Sequence, residues 1–173
     1  MTKQVMCREA RDNRYLHKDF HGALSVGIDY LEARYGEEAV RQYLRQFAKA
    51  FYGPLTEDLR KRGLVAVKEH FARIYELEGA SPRFRLSDAK MGTVPLATEG
   101  TVPVLFDELV IELDACPAVT HMREHNYPVA RLFHETTRTL NEAICEGTPF
   151  AAELVEYDHQ TGRSVQRFFR RPA

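Results

Sequence analysis

The sequence predicts an α+β fold in which N-terminal helices pack on an antiparallel sheet and a helical pair is inserted between the strands. Three observations predict it. Apolar residues recur every three or four positions from Leu16 to Leu77, the period of a helix. From Leu105 a two-residue alternation takes over, with Leu105, Leu109, Ile111 and Leu113 set against Glu108, Glu112 and Asp114, the pattern of a strand with one face on a core. Finally, Phe150 to Tyr157 and Ser164 to Phe169 read as two strands joined by the hairpin-length turn Asp158-His159-Gln160-Thr161-Gly162. Helices followed by strands around a helical pair favour this arrangement over a parallel α/β sheet.

Taken in order, Met1 to Arg14 is charged and without periodicity, which predicts a flexible N-terminus at 1–14 and one α+β domain over 15–173. Leu16, Phe20, Leu24, Ile28, Leu31 and Tyr35 then form a helix that stops at Gly36. Gly22 and Gly27 inside it each weaken an isolated helix by about 1 kcal/mol relative to alanine, so close packing of another backbone or room for a ligand is expected there. Glu37 to Tyr52 is the clearest helix, with Glu37 and Glu38 in its first turn and a stripe of Val40, Tyr43, Leu44, Phe47, Ala48 and Phe51. That broad stripe leads to the expectation of a homodimer. A third helical region starts near Thr56, is interrupted at Gly63 and continues to Gly79.

Between Ala80 and Pro103, glycine and proline punctuate short apolar pieces such as Arg83 to Leu86 and Thr93 to Leu96, which read as short strands or loop. The strand Leu105 to Asp114 follows. Pro117 to His125 is a short helix, Asn126-Tyr127-Pro128 a turn, and Val129 to Cys145 a longer helix with Val129, Leu132, Phe133, Leu140 and Ile144 on its core face.

Composition narrows the function. The 173 residues carry 24 basic and 25 acidic side chains for a formal charge of -1, with 44% hydrophobic and 28% charged residues. No global field recruits nucleic acid or an anionic membrane. No run of 18 apolar residues and no signal-peptide core is present, so a cytoplasmic protein is expected. Cys7, Cys116 and Cys145 are odd in number and lack CxxC spacing, which argues against a disulfide framework or a four-thiolate zinc site. The phosphate-binding glycine motifs and the GxSxG elbow are absent.

The candidate chemistry gathers around Cys116. Pro117 suits the first position of a helix, which sets Cys116 at the helix entrance, where the positive end of the dipole favours thiolate. The structural alternative is a small buried hydrophobe, the commonest role of a free cysteine. His121 and His125 lie four residues apart on one helical face, and His134-Glu135 follow in the next helix. Cys116, His121, His134 and Glu135 are therefore the catalytic candidates, with His17, His21 and His125 as substrate-binding candidates. The pairs His17/His21 and His121/His125 share the HxxxH spacing of a divalent metal site, with Glu135 or Asp19 as carboxylate ligand, although neither has the HExxH form. Exposed helical histidines are the alternative, and no cofactor is assigned. A thiol, a histidine base and nearby carboxylates suffice for attack on an amidine-like or acyl carbon.

A family resemblance adds to this. The helical segment HKDFHGALSVGIDYLEARYGEEAVRQYL, a strand running into ACPA, the His134-Glu135 pair and the late EGTPFAAEL segment together resemble the L-2-amino-thiazoline-4-carboxylic acid hydrolase family, over about Tyr15 to Phe169. The resemblance implies a small-molecule hydrolase that opens a C–N bond of a cyclic isothiourea, with Cys116 as nucleophile and the His134-Glu135 pair beside it. Related sequences often carry a second cysteine near the position of His134 and another after the late glycine, where this chain has Phe150-Ala151-Ala152. The outline is also similar to small-molecule-binding domains of the vinyl reductase type, which implies a ligand-binding or sensory module enclosed by Leu16 to Tyr52 and the sheet. Both readings expect a small-molecule partner.

Overall fold

The computed structural model describes residues 13–95 and 101–172, with side chains over 20–87 and 106–172. Cys7 and most of the expected flexible N-terminus lie outside the described residues; Asn13 and Arg14 open α1. The chain is α+β, with six helices and a four-stranded antiparallel sheet among these residues. Four helices come first: α1 (Asn13–Tyr35), α2 (Glu37–Phe51), α3 (Gly53–Arg62) and α4 (Leu64–Glu78). They are followed by β1 (Arg83–Pro95), β2 (Thr101–Leu113), α5 (Pro117–Glu124), α6 (Glu135–Ile144), β3 (Phe150–Tyr157) and β4 (Ser164–Arg170). The sheet order is β1-β2-β4-β3. No helix among the described residues is long and apolar enough to cross a membrane.

The alternation read in β2 sets its faces. Leu109, Ile111 and Leu113 are buried against the helices, as are Ser164, Gln166 and Phe168 of the adjacent β4. Fully burying a side chain such as Ile111 or Phe168 stabilises by about 1.5–3 kcal/mol. The opposite face is laced with ion pairs, including Arg83 on Asp114 at 2.8 Å and Arg167 with Glu108 and Glu153.

Two expectations are corrected. Arg83 to Leu86 and Thr93 to Pro95 are parts of one thirteen-residue strand, whose register shifts at Ser87/Asp88 and Asp88/Gly92 absorb the glycine that suggested a break; Leu96 lies outside the described residues. The helix expected from Val129 to Cys145 begins only at Glu135. Its first residues are held otherwise: Ser25 of α1 donates its hydroxyl to the Pro128 carbonyl at 2.9 Å and accepts the Ala130 amide at 2.8 Å. Backbone groups satisfied in this way have no need of a helical ladder.

Gly22 and Gly27 part company. A Cβ on Gly22 would stand 3.1 Å from the Tyr127 ring, whereas one on Gly27 would meet nothing within 4 Å. Close packing accounts for the first glycine only. The α2 stripe is mostly used within the chain, since Val40, Leu44 and Ala48 are buried, while Tyr43 and Phe51 remain exposed.

The apolar interior forms two clusters. One joins α1, α2, α5 and α6 through residues such as Ile28, Leu44, Val119 and Leu140. The other joins α3, α4 and the sheet through Leu59, Val67, Ile111 and Phe168. Tyr52 and Cys116 pack against both.

Glu135 fastens α2 to α6. Its carboxylate is fully buried and accepts Arg41 Nε at 3.2 Å and the Thr139 hydroxyl at 2.7 Å, with Arg138 at 3.6 Å. Removing one partner of a buried pair leaves charge without compensation, at a cost of about 3 kcal/mol, whereas an exposed pair contributes less than about 1 kcal/mol. Urea denaturation should therefore show Arg41→Met losing about 3 kcal/mol. Arg163→Met, which removes the exposed pair with Glu156, should lose less than about 1 kcal/mol.

Candidate functional site

Cys116 is the N-cap of α5, with extended backbone and Pro117 at the first helical position. Its amide donates to the Thr161 carbonyl at 3.0 Å, which ties the helix entrance to the β3–β4 turn. That turn is built by Asp158, whose carboxylate accepts the Gln160 and Thr161 amides at 2.6 and 3.2 Å. It closes at Gly162 with φ 69, where a Cβ would collide with Cys116 Cβ and stand 2.9 Å from Val119 Cγ2. Only glycine lets the turn approach so closely.

Cys116 faces a cavity of about 440 Å³ between the two core clusters. Aromatic rings of Phe20, Phe47, Phe51, Tyr52, Phe71 and Phe133 form much of its wall. Polar groups also line it: Cys116, Tyr75, Asn141, Gln166, and the pair His21–Glu78 with Nε2 to Oε1 at 2.9 Å. Asn141 Nδ2 donates to Gln166 Oε1 at 3.0 Å, and Gln166 Nε2 donates to the Tyr75 hydroxyl and to Ser164, each at 3.2 Å. Glu78 is placed by the end of α4, where Gly79 adopts the left-handed conformation and Ala80 N–H returns to the Tyr75 carbonyl at 2.8 Å.

The electrostatics of the thiol are mixed. Burial pushes Cys116 above the ordinary thiol value; the Val119 and Ala118 amides that donate to its sulfur pull the other way, and the charge of Glu78 adds to the rise. The net direction is upward, so the resting group is a thiol held at a helix entrance. Burial likewise raises Tyr75 and Tyr52, and pushes Cys145 up to about 12. Cys145 is thus an inert core cysteine at the end of α6.

Among the residues expected from sequence, Cys116 and His21 share this cavity. His134 and Glu135 do not line it. His134 packs on Tyr157 and His159, with ring centroids 5.7 and 5.1 Å away, and burial lowers its pKa; Glu135 is the buried acceptor that fastens α2 to α6. His121 is buried beside His125, the rings 4.1 Å apart. It lines a second, polar cavity of about 530 Å³ together with Glu78, Asp114, Thr120 and Glu124. His125 is exposed, with Nδ1 2.8 Å from the His121 carbonyl. The side chains of His17 and Asp19 lie outside the described residues. Among those described, no group of three or more His, Cys, Asp or Glu side chains is placed to hold a metal ion.

Sequence reading missed Glu78, Tyr75, Asn141 and Gln166. A signal existed for Glu78, Asn141 and Gln166. The α4 stripe of Val67, Phe71 and Ile74 runs at helical spacing onto Glu78, Asn141 adjoins Leu140 and precedes Ile144 by three, and Gln166 alternates with the inward Phe168. A polar residue on an apolar face is the informative observation. Comparison with known proteins adds no relative: no protein family, curated protein or solved structure matches the chain.

Gly162→Ala should destabilise the fold by at least about 1–3 kcal/mol through overpacking and the positive φ. Urea melts measure it, and a neutral result would contradict the close approach to Cys116. Alkylation of Cys116 by iodoacetamide, followed by peptide mapping, should accelerate with pH and reach its midpoint above the ordinary thiol pKa of about 8.5. A midpoint below that value would show the helix entrance outweighing burial.

Proposed function

We propose that the cavity between the two cores is a binding site for a small, flat, largely apolar molecule, and that the chain acts as a small-molecule-binding protein. One observation carries the reading: the exposed rings of Phe20 and Phe51 stack in series with the half-buried ring of Phe47 between them, centroids 6.4 and 4.6 Å apart, and all three line the same cavity as buried polar side chains. Exposed aromatic surface beside a concave site with a few polar groups is the usual form of a ligand pocket. The rings supply area and the polar groups orient the ligand. This matches the binding-module reading that the vinyl reductase-type resemblance implies.

A second reading, hydrolysis of a C–N bond in an amidine-like or cyclic isothiourea substrate, is favoured by the joint presence of Cys116 and the His21–Glu78 pair in one cavity. It is also what the hydrolase-family resemblance implies. In this scheme Cys116 gives its proton to His21 and the sulfur bonds to the electrophilic carbon. The C–N bond breaks as His21 returns the proton to the leaving nitrogen, and water then displaces the sulfur. Because burial holds the resting thiol protonated, the scheme requires the proton to move only once substrate is bound.

Thermal-shift screening with small aromatic and heterocyclic compounds should raise the melting temperature. Thr137→Trp, which fills the cavity from α6, should abolish the shift, and Cys116→Ala should change affinity by less than tenfold, or about 1.4 kcal/mol. Loss of turnover of an amidine-like hit in Cys116→Ala, with binding kept, would select the hydrolase. Unaltered shifts in Thr137→Trp would remove the cavity as the site.

A further inference from the structure

Resting on the reading of this cavity as a ligand site, the hydrogen bonds of its floor narrow the ligand. Gln166 reaches the floor from β4 with its carboxamide engaged at both ends: Oε1 accepts Asn141 Nδ2 at 3.0 Å, and Nε2 donates to the Tyr75 hydroxyl and to Ser164 Oγ, each at 3.2 Å. This orientation gives both N–H groups of Gln166 an acceptor, and a buried N–H is the group least often left without one. An amide held in this way fixes the direction of its neighbours.

Those neighbours have polar groups to spare. Asn141 is 4% exposed and borders the cavity, yet the bond to Gln166 is the one hydrogen bond of its side chain among the described residues. A carboxamide carries two N–H donors and a carbonyl acceptor, so Oδ1 and the second N–H of Asn141 are left over. Tyr75 also borders the cavity, and its hydroxyl, which accepts from Gln166, keeps its own proton to donate. Thr137, one helical turn before Asn141, lines the cavity as well, which sets Asn141 on the face that α6 turns toward it.

Buried polar groups call for partners, and a ligand in the cavity is placed to supply them. A purely apolar ring would cover Oδ1 and the free N–H and return nothing, which is unfavourable. A ring with an N–H beside a C=O answers both: its N–H donates to Asn141 Oδ1, and its carbonyl accepts from Asn141 Nδ2 or from the Tyr75 hydroxyl. We propose that the cavity selects flat, uncharged rings that contain a cyclic amide, with Asn141 as the specificity-determining residue.

2-Quinolone, quinoline and naphthalene share one flat bicyclic shape and are uncharged at neutral pH; the first offers an N–H beside a carbonyl, the second an acceptor alone, the third neither. Titrated calorimetrically into the full chain, 2-quinolone should bind most tightly, at least about tenfold more tightly than naphthalene, and each compound should slow the alkylation of Cys116. Asn141→Leu, close in size and without polar atoms, should bring 2-quinolone within about threefold of naphthalene while naphthalene still binds; Asn141→Ala serves if that variant fails to fold. A tenfold preference for 2-quinolone that survives the loss of the carboxamide overturns the assignment to Asn141. The ranking on the unaltered protein is a test that needs no variant: naphthalene or quinoline binding as tightly as 2-quinolone overturns the cyclic-amide inference and leaves the ligand site intact. Failure of all three to bind, and of all three to shield Cys116 from iodoacetamide, removes the ligand site and this inference with it.

Discussion

The contact between His21 and Glu78 is the constraint on which the interior depends. It joins α1 to the last turn of α4 across residues that are otherwise aromatic, and Glu78 is buried there. A buried carboxylate is tolerated only with a partner, so the two helices must hold their polar side chains together instead of closing an apolar seam. Space remains beside such a pair. Glu78 also lines the polar cavity beside His121, and thus forms part of the wall of both.

The position of the cavity follows from the packing around it. Among the described residues, Tyr52 and Cys116 are the partly buried side chains that pack against both core clusters. Protein interiors seldom leave voids within one well-packed cluster. A seam between two clusters is where a gap persists, and here it is bordered by a helix entrance, the end of another helix and an inward-facing strand position, Gln166.

The helices and β2 were legible because their periods are local properties of the chain, and Pro117 marked the α5 entrance at Cys116 in the same way. The start of α6 was not, because the groups that hold residues 128–130 out of a helix come from Ser25, more than a hundred positions earlier. The surroundings of Glu135 were hidden for a related reason. What makes Glu135 an element of stability is Arg41, 94 residues away, and no window of sequence contains both. The polar floor suffered the opposite fate: Glu78, Asn141 and Gln166 were hidden inside apolar stripes that the eye completes as core.

The sheet order β1-β2-β4-β3 places β4, the fourth of these strands in the chain, between β2 and β3, and β4 supplies Gln166 to the cavity. A nascent chain emerging from the ribosome can therefore form its helices and the β1–β2 ribbon early, yet β3 has no neighbour to pair with in this sheet until Arg170 has been translated. The cavity is therefore completed only once β4 has been made, and a truncation before Ser164 would leave the half-sheet and the aromatic walls without their floor.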